Sequence, residues 1–321
     1  MALVVVTNRI PAEGLDALRA EHEVRAWESE ECISRADCLE LVKGADAILT
    51  LLTEKVDGEF LDAAGPQLKV VANVAVGYNN VDVPACEARG VIATNTPKVL
   101  TETTADTAFG LMLMVTRRFG EGERIIRSQT PWQWGMFYLL GMGLQGKTIG
   151  IVGMGQIGIA MARRAKAFGM DIVYADDATP PAEALAGLDA RKVEFDELLR
   201  VADVVSLHCP YLPATHHLMG AEEFAAMKRT AYLVNSARGP IVDENALVEA
   251  LRAGEIAGAG LDVFEQEPAV HPGLLEMDNV VLLPHLGSAT TETRAAMAQL
   301  AADNALAVLR GDAPLTPVTK L

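Results

Sequence analysis

"GKTIGIVGMGQIGIAMARRAKAFGMDIVYADD", residues 146–177, changes its hydrophobic period twice. An apolar run from Thr148 gives way after Gly153 to a helical pattern from Gln156, and a second apolar run ends at Asp176. Between run and helix stands Gly153-Met-Gly155-Gln-Ile-Gly158. Glycine-rich turns are common, so the glycines alone carry little. The strand before them, the helix after them and an acid eighteen residues past Gly158 make the spacing specific. Gly153 and Gly155 allow a tight turn and the close approach of a pyrophosphate to the helix N-terminus; Gly158 lets the helix pack on the strand. Asp176 is placed to accept hydrogen bonds from ribose hydroxyls. The stretch predicts a dinucleotide-binding βαβ unit, and its charge selects NADH over NADPH. Asp177 adds a second negative charge beside Asp176, and no Arg or Lys lies between Asp171 and Arg191.

The pattern continues in both directions. Short apolar runs at 3–7, 47–52, 68–74, 148–153, 171–175, 203–208, 231–235 and 279–284 alternate with helix-like stretches, the signature of parallel sheets built from βαβ units. Residues 101–128 read as one helix, apolar on every face from Ala108 to Val115. Such a helix must be covered all round, which predicts a place between domains or subunits. The aromatic segment "PWQWGMFYLLGMG" follows it. The expected division is therefore 1–100 with 287–321 as a substrate domain, and 101–286 as the nucleotide domain, with 101–145 an interdomain and dimerisation segment.

The 321 residues suffice for two domains, and 50% hydrophobic with 22% charged residues is a soluble, globular profile. A net charge of −16 argues against nucleic-acid and anionic-membrane partners, though not against a small anionic substrate. "MALVVVTNRIPAEG" lacks the charged start of a signal peptide, and no apolar run reaches the length of a membrane span. Cys32, Cys38, Cys86 and Cys209 show no paired spacing, so reduced thiols and a cytoplasmic location are expected.

Three polar residues stand just past apolar strands: Arg238 after "AYLVN", Glu267 after "GAGLDVF" and His285 after "NVVLLP". Singly, each reads as a loop residue. Carboxyl ends of neighbouring strands in one parallel sheet bring such residues to one cleft. Together they form a complete set for reducing a 2-oxo acid. Arg238 can fork onto the carboxylate and carbonyl oxygen, and His285 can donate the proton the oxygen needs. Glu267 can orient the imidazole and favour its charged form.

These residues and their order resemble the D-isomer-specific 2-hydroxyacid dehydrogenase family, which includes glyoxylate, hydroxypyruvate and 2-ketogluconate reductases. The segments that carry the resemblance are "VAVGYNNVDVPACEARGV" (74–91), "TETTADTAFGLML" (101–113), "GIVGMGQIG" (150–158), "HCPYLPATHHLMG" (208–220), "NSARGPIVDENAL" (235–247), "GLDVFEQEP" (260–268) and "PHLGSAT" (284–290). They span most of the chain, the first sixty residues matching loosely, and look most like the glyoxylate/hydroxypyruvate branch.

The resemblance implies two doubly wound parallel-sheet domains, flavodoxin-like for substrate and Rossmann for NAD, with the active site in the cleft between them. It implies NAD(P)H-dependent reduction of a small 2-oxo acid, with Arg238 polarising substrate, His285 donating the proton and Glu267 as its partner. It implies substrate contacts at Leu52, Val76, Gly77 and Ser288, and cofactor contacts at Thr104, Gly153, Gly155, Gln156, Ile157, Gly158, Asp176, Cys209, Pro210, Thr215, Ser236, Ala237, Asp262 and Gly287. Asp262 would hold the nicotinamide carboxamide, and Trp134 of a homodimer would reach the partner's substrate pocket. Asn79 stands where the family more often has Asp.

His216-His217 are read as loop residues rather than metal ligands, Cys209 as cofactor packing rather than a nucleophile, and Trp132 as an interface aromatic. Two rival readings stay open: an NAD-sensing binding protein similar to the C-terminal-binding-protein corepressors, which keep a comparable Arg, Glu and His, and a family member for another oxo acid, such as 2-ketogluconate or 3-phosphohydroxypyruvate. The compact chain favours an enzyme, and the absence of cations from Val70 to Val83 disfavours a phosphorylated substrate.

Overall fold

Runs of Val, Ile, Leu and Ala too short for helices pair side by side, and every pairing between named strands is parallel. The computed structural model describes residues 1–320. It divides into two units, Met1–Leu100 with Ser288–Leu321, and Thr101–Gly287. The division expected at Gly287 falls one residue later, because Asp262 holds the Gly287 N–H at 2.8 Å.

The first unit runs β1 (Leu3–Val6), α1 (Ala12–Arg19), β2 (Glu23–Ala26), α2 (Arg35–Leu41), β3 (Ala47–Thr50), α3 (Gly58–Ala64), β4 (Val70–Asn73), α4 (Val83–Ala88) and β5 (Ile92–Thr94). Its sheet has the order β2-β1-β3-β4-β5, the flavodoxin-like winding. The central strands β3 and β4 are buried throughout, as continuous apolar runs require in a sheet covered on both faces. Ser34, Asp57 and Asp82 accept the N-terminal amides of α2, α3 and α4, so the polar residues before each helix start it.

The second unit opens with α5 (Thr101–Thr116) and α6 (Phe119–Arg127), then β6 (Thr148–Val152), α7 (Gln156–Ala167), β7 (Asp171–Ala175), β8 (Arg191–Lys192), α8 (Phe195–Val201) and β9 (Val204–Leu207). It continues with α9 (Ala221–Ala226), β10 (Tyr232–Asn235), α10 (Glu244–Ala253), β11 (Gly258–Leu261), α11 (Pro272–Leu275) and β12 (Val280–Leu282). The strand order β12-β11-β10-β9-β6-β7-β8 is a Rossmann sheet with one added strand; its order reverses between β6 and β9. The chain then returns to the first unit as α12 (Thr291–Arg310), which packs on α1, β3 and β4. No helix among the described residues is long and apolar enough to cross a membrane.

Two expectations are corrected. Residues 101–128 form two helices, broken at Arg117 and Arg118, where Arg118 takes a left-handed φ of 54°. And α5 finds its cover inside its own unit, between α7 and strands β10, β11 and β12. Leu111 lies 3.1 Å from where a Cβ on Gly260 would stand, so the glycines of β11 let the helix settle on the sheet. The inference from an all-apolar helix to a partner subunit therefore does not hold for α5. Strands β2, β5 and β8 were not expected.

Candidate active site

Past the carboxyl ends of the neighbouring strands β10, β11 and β12 stand Arg238, Glu267 and His285. His285 Nδ1 lies 2.8 Å from Glu267 Oε2, and Glu267 Oε1 accepts the Phe264 N–H at 3.0 Å. Burial works to raise the Glu267 carboxyl, but the hydrogen bonds from His285 and Phe264 and the charge of Arg238 hold it below its ordinary value. Burial pulls the Arg238 guanidinium down from its usual value while the Glu267 charge opposes that. Arg238 Nη1 donates to Ala237 O at 2.6 Å, which fixes the base of the fork.

His285 is a third exposed and takes a left-handed φ of 53°. Asp262 imposes that turn. Its carbonyl accepts the His285 N–H at 2.9 Å, and its fully buried carboxylate accepts Leu286 N–H at 2.6 Å and Gly287 N–H at 2.8 Å. Burial pushes the Asp262 carboxyl up, against those hydrogen bonds. With Nδ1 turned to Glu267, Nε2 is the nitrogen left to hand a proton to a ligand.

The glycine-rich turn sits at the point where the strand order reverses. Gly153 has φ +92°, and a Cβ there would lie 2.5 Å from Cys209 N; a Cβ on Gly158 would lie 2.2 Å from Gly153 O. At Gly155 a Cβ would meet nothing within 4 Å, so the cradle is open where a pyrophosphate would approach. Asp176, just past β7, accepts Met154 N–H at 2.7 Å and Ala178 N–H at 2.8 Å, tying the acid to the turn. The buried Ser236 Oγ has no partner among the described residues, and Thr104 is buried beside Gly287. An open glycine cradle at a helix start, an acid at the next strand end and an orphaned hydroxyl fit a dinucleotide. Gln156 and Ile157 open α7, and Ala237 follows Ser236 in the loop after β10. Cys209, Pro210 and Thr215 line the loop after β9, where Thr215 Oγ1 donates to Pro210 O at 2.8 Å. Burial pushes the Cys209 thiol up to about 11, which leaves it a poor nucleophile.

In the first unit, Leu52 follows β3 and Val76 and Gly77 follow β4; Ser288 begins the returning segment. A side-chain amide network that the sequence reading missed shapes the two loops. Asn95 Nδ2 donates to Val76 O at 2.8 Å, Asn73 Nδ2 to Gly77 O at 3.0 Å, and Asn80 Nδ2 to Leu51 O at 2.9 Å. Their carbonyls are turned into the network, which suits a loop whose N–H groups face an anion. Trp134 is 75% exposed in a segment without regular secondary structure. Lys192, also missed, reaches across from β8 to donate to Ala178 O and Thr179 Oγ1, both at 3.2 Å.

Fold and site together define an oxidoreductase with a nicotinamide-dinucleotide domain. Residues 109–287 match the D-isomer specific 2-hydroxyacid dehydrogenase, NAD binding domain. Over 322 aligned residues the chain is 46% identical to a glyoxylate reductase of Thermococcus litoralis, covering 99% of this chain and 96% of the relative. Its structure resembles that of an NADPH-dependent glyoxylate/hydroxypyruvate reductase from Sinorhizobium meliloti in complex with NADP and malonate (TM-score 0.85, 38% identity, 99% and 96% of the two chains). It also resembles the D-mandelate dehydrogenase of Rhodotorula graminis (TM-score 0.90, 30% identity, 100% and 98% of the two chains). The chain belongs to the D-isomer-specific 2-hydroxyacid dehydrogenase family.

Proposed function

We propose that the protein reduces glyoxylate and hydroxypyruvate to the corresponding D-2-hydroxy acids, using NADH in preference to NADPH. The observation that carries the reading is the Glu267–His285 pair at 2.8 Å beside Arg238, on three adjacent strand ends of the dinucleotide unit. Reduced nicotinamide, when bound, supplies the hydride that reaches the keto carbon. Gly153, Gly155, Gln156 and Ile157 are assigned to its pyrophosphate, Asp176 to the adenosine ribose, and Thr104, Cys209, Pro210, Thr215, Ser236, Ala237, Asp262 and Gly287 to the rest. The N–H groups of Val76 and Gly77 receive the substrate carboxylate, with Leu52 and Ser288 beside it. Arg238 draws charge onto the keto oxygen; His285 gives that oxygen its Nε2 proton as the carbonyl π pair moves onto it. Glu267 keeps the imidazole oriented and balances its charge.

NADH is favoured because Asp176 and Asp177 would face a 2′-phosphate. Lys192 opposes this from β8, so the preference is a matter of degree. Steady-state NADH and NADPH oxidation with glyoxylate, hydroxypyruvate, pyruvate, 2-ketogluconate and phenylpyruvate tests the whole reading. Turnover with the two small acids, fastest with NADH, is expected. Dinucleotide binding without turnover of any of the five would point to the corepressor-like alternative.

A further inference from the structure

A second histidine–carboxylate cluster lies in the dinucleotide unit, and none of its members takes part in the proposed chemistry. His217 Nε2 lies 2.6 Å from Glu265 Oε1, and the His217 N–H donates to Pro240 O at 2.9 Å. The Glu265 N–H donates to Glu244 Oε1 at 2.7 Å, and the Glu244 N–H returns to Glu265 Oε2 at 3.4 Å. Gly239 adjoins the same peptide so closely that a Cβ there would come within 1.9 Å of Phe264 C. Three loops are thereby fastened at Glu265: the one after β9 that carries Thr215, the one after β10 that carries Arg238, and the one after β11 that carries Glu267. One peptide earlier in the same loop, the Phe264 N–H donates to Glu267 Oε1 and anchors Glu267.

The cluster is dense in charge. Asp243 Oδ2 lies 3.9 Å from His217 Nδ1, and the His216 ring stacks on His217 at 4.0 Å between centroids. Glu244 is buried; burial and then the charges of Glu265 and Glu267 raise its carboxyl, while its hydrogen bond from Glu265 and the nearby His271 oppose this. Surface pairs are worth little, but this one joins segments that each hold a reacting group.

We propose that His217 and Glu265 are positioning residues, a staple that holds Glu267 and Arg238 in register for the reduction. The proposal rests on the reading of Arg238, Glu267 and His285 as the reacting set. Nothing in the reaction requires His217 to touch substrate or cofactor.

The test compares His217→Ala with His217→Gln in the full chain. Both replace a residue at φ +51°, so any backbone penalty is shared, and only Gln keeps a donor toward Glu265. In His217→Ala, kcat for glyoxylate should fall on the order of tenfold to a hundredfold, as loss of alignment does, with the fluorescence-measured NADH affinity near wild type. The acid limb of kcat should move to higher pH, because Glu267 loses the setting that keeps it ionised. Amide exchange should rise at Phe264 and Glu265. Gln should recover most of each effect. Wild-type exchange, kcat and acid limb in His217→Ala would overturn the staple. So would an activity loss equal in both variants with an unmoved acid limb. If the wild-type protein reduces none of the oxo acids, the functional reading fails by itself. Amide exchange then still decides the staple: unchanged protection in His217→Ala overturns it, and lost protection restored by Gln supports it.

Discussion

His285 is held in a backbone conformation that histidine seldom adopts, and the cost, roughly 1–3 kcal/mol, is offset by Asp262 through three backbone amides. The imidazole is thus aimed before any ligand arrives. Asparagine tolerates the same φ, so His285→Asn removes the acid while sparing the turn. Its kcat for glyoxylate should fall by roughly 10²–10⁴ with NADH affinity nearly unchanged. Wild-type turnover in that variant would remove His285 from the mechanism. Arg238→Ala should lose ~10²–10³ in kcat and raise KM as well, because the fork both binds and polarises. Lys192 is the residue whose weight on the cofactor is open to measurement. Lys192→Ala should lower kcat/KM for NADPH about twofold to fivefold and leave NADH alone, the scale of an exposed ion pair. An equal effect on both cofactors would show that Lys192 does not reach the ribose 2′ position. Arg238, Glu267 and His285 were legible in the sequence because each follows an apolar strand. Lys192, Asn73, Asn80 and the His217–Glu265 pair were not. Lys192, Asn80 and His217 bond to other loops, fourteen residues away for Lys192 and Ala178 and forty-eight for His217 and Glu265, while the Asn73 bond to Gly77, four residues on, leaves no mark in the hydrophobic period.

At the scale of elements, what local pattern cannot show is where one segment stops another. No Pro interrupts residues 101–128, Gly110 sits inside α5 without ending it, and the next glycine is Gly120. The break comes earlier because Met142 N–H, from the irregular segment before β6, takes the Thr116 carbonyl at 2.7 Å. The strands that escaped notice have their own reasons. β2 reads Glu-Val-Arg-Ala at a sheet edge, β5 has three residues and β8 two, so none makes an apolar run. Conversely β6 and β9 were plain, and Asp203 ties them together. Its Oδ2 accepts Thr148 N–H and its Oδ1 accepts Lys228 Nζ, both at 2.9 Å. Burial would raise its carboxyl, but these bonds hold it below the ordinary value. Stability from such a group is fully present above the unfolded aspartate pKa, near 3.9, and is lost as pH falls through the lower folded value. Asp203→Asn should therefore cost roughly 1.5–3 kcal/mol at neutral pH, and the difference from wild type should shrink below about pH 4. Urea unfolding at pH 7 and pH 3.5 measures both; a cost independent of pH would show that the charge contributes nothing.

For the whole molecule, the exposed apolar surface is concentrated in one place. Among the described residues, eight of the fifteen exposed large hydrophobic side chains fall within 119–140, with Trp134 75% and Phe137 89% exposed. A patch of this kind calls for a partner. A second copy of this chain is the occupant that the resemblance implies, and the local charge is compatible with it. Copies carrying −16 each repel at long range, yet the arginines of α6 and its start are already neutralised within the unit. Arg118 pairs with Glu121, Arg124 with Asp278 and Arg127 with Glu123. The prediction is a homodimer in sedimentation at assay concentration, tightened by added salt because screening relieves the net repulsion while leaving apolar burial intact. Phe137→Asp should weaken it by placing a charge in the patch. The covering of α5 within its own unit makes this a test of the 119–140 surface alone. Trp134 carries a further consequence: as a bulky wall of the partner's pocket it would exclude long oxo acids. Trp134→Ala should then raise kcat/KM for phenylpyruvate relative to glyoxylate, with NADH affinity retained. A monomer with full activity would defeat the dimer, and an unchanged substrate ratio in a dimeric Trp134→Ala would defeat the pocket role by itself.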